Sequence, residues 1–235
     1  MRRIRYGQLC PIAKAAEVLG ERWTILIIRE LLVGNYRYSG LQRALSRLSP
    51  TLLTRRLKQL QDCGLVIRQP AAAGTRAEYR LSPAGRDLER AVFALGEWGM
   101  RWARGQMRPD EIDVQMLMVD FSRRLDAARL PAGRTVLEFD LPSLRKFRRW
   151  WIVVEANGTR ELCSNYPGHA TQLTLRLDPR TLGEIWSGDT TIPSALKDGR
   201  LSVAGDPGLV RSLSAWLRPG ALAHIRPASS QRKRP

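Results

Sequence analysis

Residues 49–66, SPTLLTRRLKQLQDCGLV, predict a capped helix with one apolar face and one basic face. Ser49 is a favourable N-cap residue, and Pro50 suits the first helical position because proline loses no helical hydrogen bond there. An apolar stripe at helical spacing follows, formed by Leu53, Leu57 and Leu60. The opposite side carries hydroxyl groups and cations, from Thr51, Thr54, Arg55 and Lys58. Gly64 then predicts the end of the helix.

Such a helix fits the major groove of DNA, with its apolar face turned to the protein. An ordinary solvent-exposed helix would contain the same residues, so this stretch alone leaves both interpretations open. The preceding segment favours DNA binding. Residues 39–45 predict a short helix that a tight turn joins to the helix starting at Ser49, as in a helix-turn-helix. Two earlier helices are predicted at residues 11–19 and 23–33, and the second contains the buried-type run ILIIRELL.

The residues after Gly64 predict a β-hairpin beside this motif. Residues 65–68 and 77–81 have the pattern of two short strands around a turn of small residues. Arginines on such a wing suit phosphates, which position a protein on DNA without specifying its sequence. A structural hairpin with incidental arginines is the alternative. We therefore expect base contacts from Thr51, Thr54 and Arg55, beside the cap Ser49, and phosphate contacts from Arg43, Lys58, Arg68 and Arg76.

A single long helix is predicted from Ser82-Pro83 to about Arg104. Its apolar residues follow a heptad spacing, which forms an apolar stripe of Leu88, Val92, Leu95 and Trp102. Trp98 widens this stripe. A long helix on a small domain has few places to bury tryptophan. We therefore predict a homodimer through this seam; packing against the second half of the chain is the alternative.

The composition narrows the class of protein. A net charge of +17 indicates a polyanionic partner, nucleic acid before membrane. No apolar run is long enough to span a bilayer and the N-terminus lacks a signal-peptide core, so we expect a cytoplasmic, nucleoid-associated protein without membrane insertion. The three cysteines and two histidines lack metal-ligand spacing, and no GxSxG, GxGxxG or P-loop motif occurs. We expect no metal, no cofactor and no enzymatic activity.

The first half resembles the HxlR-type transcriptional regulators over residues 8 to about 103. The matching motifs are Cys10-Pro-Ile-Ala, Leu19-Gly-Glu-Arg-Trp-Thr, Ile28-Arg-Glu-Leu-Leu, Ser49-Pro, Leu53-Thr-Arg-Arg-Leu, Gly64-Leu-Val, Glu78-Tyr and Leu81-Ser-Pro-Ala-Gly. The resemblance implies a dimeric winged helix-turn-helix that binds operator DNA, more often as a repressor than as an activator. It also implies a thiol sensor at Cys10, whose thiolate the nearby Arg2, Arg3 and Arg5 favour. A buried thiol in a dimer contact explains Cys10 equally well.

The second half predicts an α+β domain with an antiparallel sheet. Strands are expected at 135–139, 150–154, 160–163, 173–177 and 200–204, and helices at 115–125, after Asp178, at 192–196 and at 206–216. We expect a DNA-binding and dimerisation domain at residues 1–107, this second domain at 108–226 and a basic disordered tail at 227–235.

Residues 136–217 look like a sterol-carrier-like domain, a fold that encloses an apolar tunnel. The resemblance implies a small hydrophobic ligand, and the cavity-lining candidates are Trp150, Trp151, Trp186 and Trp216. A dry core filled by these tryptophans is the alternative. The sequence thus predicts a dimeric DNA-binding repressor that responds to a hydrophobic ligand or to a thiol-reactive signal. The alternatives are a lipid carrier with an N-terminal interaction module and an RNA-binding protein.

Overall fold

A computed structural model describes residues 5–70 and 77–228 of the chain. The chain divides into two compact units, Met1–Gly96 and Glu97–Pro235. Residues 71–76, with the predicted wing turn and Arg76, lie outside the described residues, as do Arg2, Arg3 and residues 229–235 of the predicted tail. Within the described ranges, no helix has both the length and the apolar character needed to cross a bilayer.

The N-terminal unit is a winged helix-turn-helix, as the sequence predicts. Its elements are α1 (Pro11–Leu19), α2 (Thr24–Leu32), α3 (Tyr38–Ala44), α4 (Pro50–Asp62), β1 (Val66–Gln69) and β2 (Glu78–Leu81). The two strands pair antiparallel, with Val66 opposite Leu81, and a bridge from Arg37 to Glu78 extends the small sheet. Apolar residues of α2, α3 and α4 form one buried core. The core fixes α4 because its apolar stripe has nowhere else to be buried.

Local sequence signals account for both ends of α4, whereas the start of α2 differs from the prediction. The Ser49 hydroxyl accepts a hydrogen bond from the Leu52 amide at 3.3 Å, and Gly64 adopts a left-handed φ of 71° just after α4. Trp23, predicted as the first residue of α2, instead has a φ of 78°, so the helix begins at Thr24.

The predicted long helix from Ser82 to Arg104 is wrong as a continuous element. The structure has α5 (Pro83–Arg86), a turn at residues 87–88, α6 (Glu89–Trp98), a π-helical turn (Gly99–Ala103) and a 3₁₀ turn (Arg104–Gln106). Glycines at positions 96 and 99 weaken an α-helix because they leave the backbone many unfolded conformations. The heptad spacing of the sequence therefore does not continue regularly past Trp98.

The C-terminal unit is an α+β domain. Its elements are α7 (Val114–Arg124), β3 (Thr135–Asp140), β4 (Arg149–Val154), β5 (Arg160–Cys163), β6 (Leu173–Leu177), α8 (Pro179–Ser187), α9 (Ile192–Lys197), β7 (Leu201–Gly205), α10 (Pro207–Arg211) and α11 (Leu213–Trp216). The helix expected over 206–216 is two helices, and the Ser212 hydroxyl at the break donates to the Gly208 carbonyl at 2.8 Å. Apolar residues of the sheet and of α7, α8, α10 and α11 share one core.

The five-stranded sheet has the order β5-β4-β3-β6-β7 and is mixed, which corrects the prediction of an antiparallel sheet. β3 and β6 pair in parallel, with Leu137 opposite Leu173, whereas the other three pairings are antiparallel. After the edge strand β5, the chain continues into β6, which is separated from β5 in the sheet by β4 and β3. Residues 164–172 must therefore cross the sheet. Several contacts fasten this crossing. Tyr166 lies against Trp151, with ring centroids 5.9 Å apart, and the Gln172 side-chain oxygen accepts from the Val136 amide at 2.6 Å. The Gln172 amide in turn donates to the Val136 carbonyl at 3.0 Å.

Candidate nucleic-acid interface

The two faces of α4 differ as the sequence predicts. Leu53, Leu57 and Leu60 are buried in the core of the N-terminal unit. The residues predicted to contact bases or phosphates from this helix are all exposed, namely Thr51, Thr54, Arg55 and Lys58. Their hydroxyl, guanidinium and ammonium groups form a polar surface on one side of a well-anchored helix.

The Thr54 hydroxyl is already engaged within the protein. Its Oγ1 donates to the Pro50 carbonyl at 3.1 Å and lies 3.2 Å from the Tyr38 hydroxyl, which itself donates to Pro50 at 2.8 Å. Thr54 therefore offers a base only its remaining lone pair and its methyl group. Arg55 is exposed on the same face, and its guanidinium carries a fork of N–H donors.

Arg56, which the sequence reasoning did not single out, is buried on the inner side of α4. Its guanidinium forms a 2.6 Å ion pair with Glu21 and donates to the Arg22 carbonyl at 3.0 Å. These contacts tie α4 to the turn before α2, so they fix the angle at which α4 is presented. The helical spacing could have predicted this burial, because Arg56 lies three residues after Leu53 and four before Leu60, on the apolar side of the helix.

Of the other predicted phosphate contacts, Arg43 and Arg68 lie on two different elements, and Arg76 lies outside the described residues. Arg43 is exposed in the last turn of α3, where it lines an open polar cleft of about 320 Å³ that Arg37 also lines. Arg68 is exposed on β1. Arg80, a further wing arginine, is held by Glu78 at 2.6 Å and stacks on the Tyr36 ring at 3.6 Å. It therefore stabilises the base of the wing.

The predicted dimer seam divides into buried and exposed residues. Val92 belongs to the core of the N-terminal unit, and Leu88 packs against that core. Leu95, Trp98 and Trp102 are 53%, 58% and 60% exposed. Only these last three offer a large apolar surface to another molecule.

The four tryptophans predicted to line a cavity are buried or half-buried in the C-terminal unit. Trp150 and Trp216 belong to the main core, and their indole N–H groups donate to the carbonyls of Phe147 at 2.9 Å and Leu209 at 3.2 Å. Trp186 packs against this core and donates to Asp120 at 2.7 Å. Trp151 lies in a separate apolar cluster with Val136 and Val153. The four side chains therefore do not share one enclosure.

Cys10 is an exposed free cysteine at the N-cap of α1. The segment before it is attached to α1, because the Tyr6 amide donates to the Glu17 carboxylate at 2.8 Å. This hydrogen bond, helped by Lys14, lowers the pKa of Glu17. The thiol of Cys10 is thus accessible to reagents and lies next to a fixed segment.

Comparison with known proteins identifies both halves. A family model for HxlR-like helix-turn-helix proteins matches residues 18–107, and one for the SCP-2 sterol transfer family matches residues 119–218. An uncharacterised HTH-type transcriptional regulator of Mycobacterium tuberculosis is 45% identical over 89 residues. That match covers 37% of this chain and 56% of the relative, so the chain spans little more than half of the relative's length.

A second relative is matched over most of its length. The uncharacterised HTH-type transcriptional regulator YvaP of Bacillus subtilis is 35% identical over 98 residues, which are 41% of this chain and 91% of YvaP. The solved structure of the reduced transcriptional regulator YodB from B. subtilis is 28% identical, with a TM-score of 0.36, and covers 42% of this chain and 98% of YodB. From the sequence matches, the chain belongs to the HxlR-like helix-turn-helix family of transcriptional regulators.

Proposed function

We propose that this protein is a homodimeric repressor that reads operator DNA with α4. The observation that carries the proposal is the exposed polar face of α4 on a helix whose other face is buried. The major groove admits an α-helix, and an arginine there donates two hydrogen bonds to one guanine. Arg55 therefore has the main reading role, and Thr51 adds a hydroxyl contact. Thr54 contributes through its methyl group or its remaining lone pair.

Phosphate contacts hold the helix in the groove. Lys58 lies one turn beyond Thr54 on α4, Arg43 lies on α3, and Arg68 lies on the wing strand β1. Because these cations come from three elements, they contact phosphates at several points and so fix the orientation of the unit on the duplex. Arg76 has the same proposed role from the wing turn.

We assign residues 1–107 to the DNA-binding and dimerisation domain, because the exposed Leu95, Trp98 and Trp102 belong to α6 and the turn after it. Exposed apolar patches are favourably covered by a second copy of the chain. Two copies would present two α4 helices to half-sites about 34 Å apart on the duplex. The protein acts where the chromosome is, in the cytoplasm and on the nucleoid.

We assign residues 108–226 to a regulatory domain that binds a small hydrophobic ligand. The match of residues 119–218 to the SCP-2 sterol transfer family supports this assignment. The same match fits the alternative of a lipid carrier, but the regulator family of the first half favours a ligand that alters DNA binding. A thiol-reactive signal at the exposed Cys10 is the second proposed input.

Footprinting on duplex DNA from upstream of the gene, followed by fluorescence anisotropy, tests the DNA-reading role. Arg55→Ala should weaken operator binding by about 1–3 kcal/mol and relax the preference at one or two base positions. Lys58→Ala should weaken binding to operator and random duplex alike and reduce the salt dependence by about one phosphate contact.

Arg86→Ala is the matched control, because Arg86 is an exposed arginine of the same unit that lies on α5, outside the helix-turn-helix. It should bind like the parent protein. If Arg55→Ala kept the operator affinity and the base preference of the parent, α4 would not be the reading helix.

A further inference from the structure

A second cationic surface lies at one end of the C-terminal sheet. The loop between β3 and β4 has the sequence LPSLRKFR over residues 141–148, and Arg145 and Lys146 on it are exposed. Neither forms an ion pair with any residue in the described part of the chain. Three more arginines lie at the end of this loop or on the adjoining strands. The five residues of this basic loop surface are Arg145, Lys146, Arg148, Arg149 and Arg176.

One buried carboxylate gathers the three arginines. Asp140 lies opposite Arg149 on β4 and opposite Arg176 on β6, so all three side chains share one face of the sheet. Its oxygens are 3.0 Å from Arg148, 3.9 Å from Arg149 and 3.8 Å from Arg176. The Asp140 side chain is 8% exposed, whereas the arginines are 45%, 55% and 59% exposed. Glu138, 15% exposed, also lies beneath Arg149. The two carboxylates are thus largely buried, and the charged groups exposed to solvent are the arginines.

The loop that carries Arg145 and Lys146 is held in place. The Leu141 amide donates to the Arg148 carbonyl at 2.8 Å, which closes the loop. The Trp150 indole donates to the Phe147 carbonyl at 2.9 Å, and the Phe147 and Trp150 rings stack with centroids 5.8 Å apart. These contacts hold Phe147 at a left-handed φ of 53°. A binding partner would therefore meet an ordered loop backbone and would lose little loop entropy on binding.

We propose that the basic loop surface is a second, sequence-independent binding surface for the phosphate backbone of duplex DNA. The inference rests on the proposed function, because DNA bound to α4 is the polyanion this chain would encounter. Five cations stand against two covered acids, which is the charge excess that a phosphate backbone requires. An anionic membrane offers the same charge. Phe147, however, is the one large apolar side chain exposed on the described loop, and it is stacked on Trp150. The surface therefore has little to insert into lipid.

The test neutralises Arg145 and Lys146, which have no ion-pair partner among the described residues, in the full-length protein. Arg145→Gln with Lys146→Gln leaves the arginines that cover Asp140 untouched. The matched control is Lys197→Gln with Arg211→Gln, two exposed cations on α9 and α10 of the same unit. Binding to a random 40-base-pair duplex is measured from low to physiological salt. The loop variant should bind roughly tenfold more weakly at low salt, with a salt slope smaller by about two, because two phosphate contacts are lost. The control should change the slope by less than one.

The outcomes separate this inference from the proposed function. If the loop and control variants bound alike while Arg55→Ala lost operator preference, the loop proposal would fail and the α4 proposal would stand. If the parent bound no duplex at all, both would fail. Phosphatidylserine vesicles provide the other arm: a loop variant that lost vesicle binding but kept duplex binding would assign the surface to membrane and overturn the DNA assignment.

Discussion

The tryptophans of the α6 segment and those of the C-terminal sheet domain lie in opposite environments. Trp98 and Trp102 are more than half exposed, whereas Trp216 is fully buried and Trp150 nearly so. The buried pair satisfies its indole N–H groups with backbone carbonyls. The same residue type thus serves as core in one region and as unoccupied apolar surface in the other. The difference matters because the buried tryptophans report on the stability of one chain, whereas the exposed ones report on its association with another molecule.

Replacing Trp216 should produce the largest effect. Trp216→Ala removes a completely buried indole and leaves a cavity, so the C-terminal unit should lose about 3–5 kcal/mol of unfolding free energy. Urea denaturation followed by far-UV circular dichroism measures this loss. Trp102→Ala is the matched control, because it removes the same side chain from an exposed position and should leave the unfolding of the protomer almost unchanged. Equal losses for the two variants would contradict the contrast between buried and exposed tryptophans.

A charge on the exposed apolar surface should separate the proposed dimer. Leu95→Arg would bury an unpaired cation in the interface, a cost of several kcal/mol that dissociation avoids. Light scattering should show a monomer, and operator affinity should fall because two half-sites are no longer bound together. Leu196→Arg, at a leucine of α9 that is 38% exposed, makes the same change elsewhere and should leave the dimer intact. A Leu95→Arg dimer of unchanged stability would place the interface on another surface.

The sequence predicts α4 and its neighbours well because their signals are local. Ser49 and Pro50 start α4, Gly64 ends it, and the leucine spacing selects its buried face. Each of these features depends on residues within a few turns of the chain. The exposed Arg55 could be predicted for the same reason.

The errors in the sheet and at the buried side chains come from distant contacts. The parallel pairing of β3 with β6 depends on where residues 164–172 cross the sheet, and alternating leucines in β6 are compatible with either direction. The Arg56–Glu21 ion pair joins residues 35 positions apart, and an arginine beside an apolar stripe could equally extend to solvent. A tryptophan count likewise gives no information on whether indoles line a cavity or fill a core.

Titration with a hydrophobic ligand tests whether the buried tryptophans surround a binding cavity. Palmitate is the probe, and a protein with Trp98→Phe and Trp102→Phe removes the exposed indoles from the fluorescence signal. If the C-terminal unit binds palmitate within its core, the emission of the remaining tryptophans should shift on titration. Operator affinity should change by about 1–3 kcal/mol, a five- to hundredfold effect.

Thermodynamic reciprocity gives this prediction an internal check. Operator DNA must change the palmitate affinity by the same factor as palmitate changes the operator affinity. Arg55→Ala should still bind palmitate, since that residue lies on α4 of the N-terminal unit. A titration without any fluorescence change would remove the ligand proposal, and binding without an effect on operator affinity would leave the ligand but remove the regulation.

The smallest effect on unperturbed DNA binding is expected at Cys10. Because its side chain is exposed at the N-cap of α1, outside the helix-turn-helix elements α3 and α4, Cys10→Ser should bind operator within about 0.5 kcal/mol of the parent. If Cys10 is a sensor, peroxide should weaken operator binding of the parent but not of the variant, since the thiolate is the form that oxidants attack. Half-buried Cys63 and Cys163 serve as internal standards for the alkylation rate, measured by mass spectrometry with iodoacetamide. A Cys10 rate no higher than that of a small model thiol, with operator binding insensitive to peroxide, would remove Cys10 as a sensor. It would also leave the C-terminal unit as the remaining proposed input.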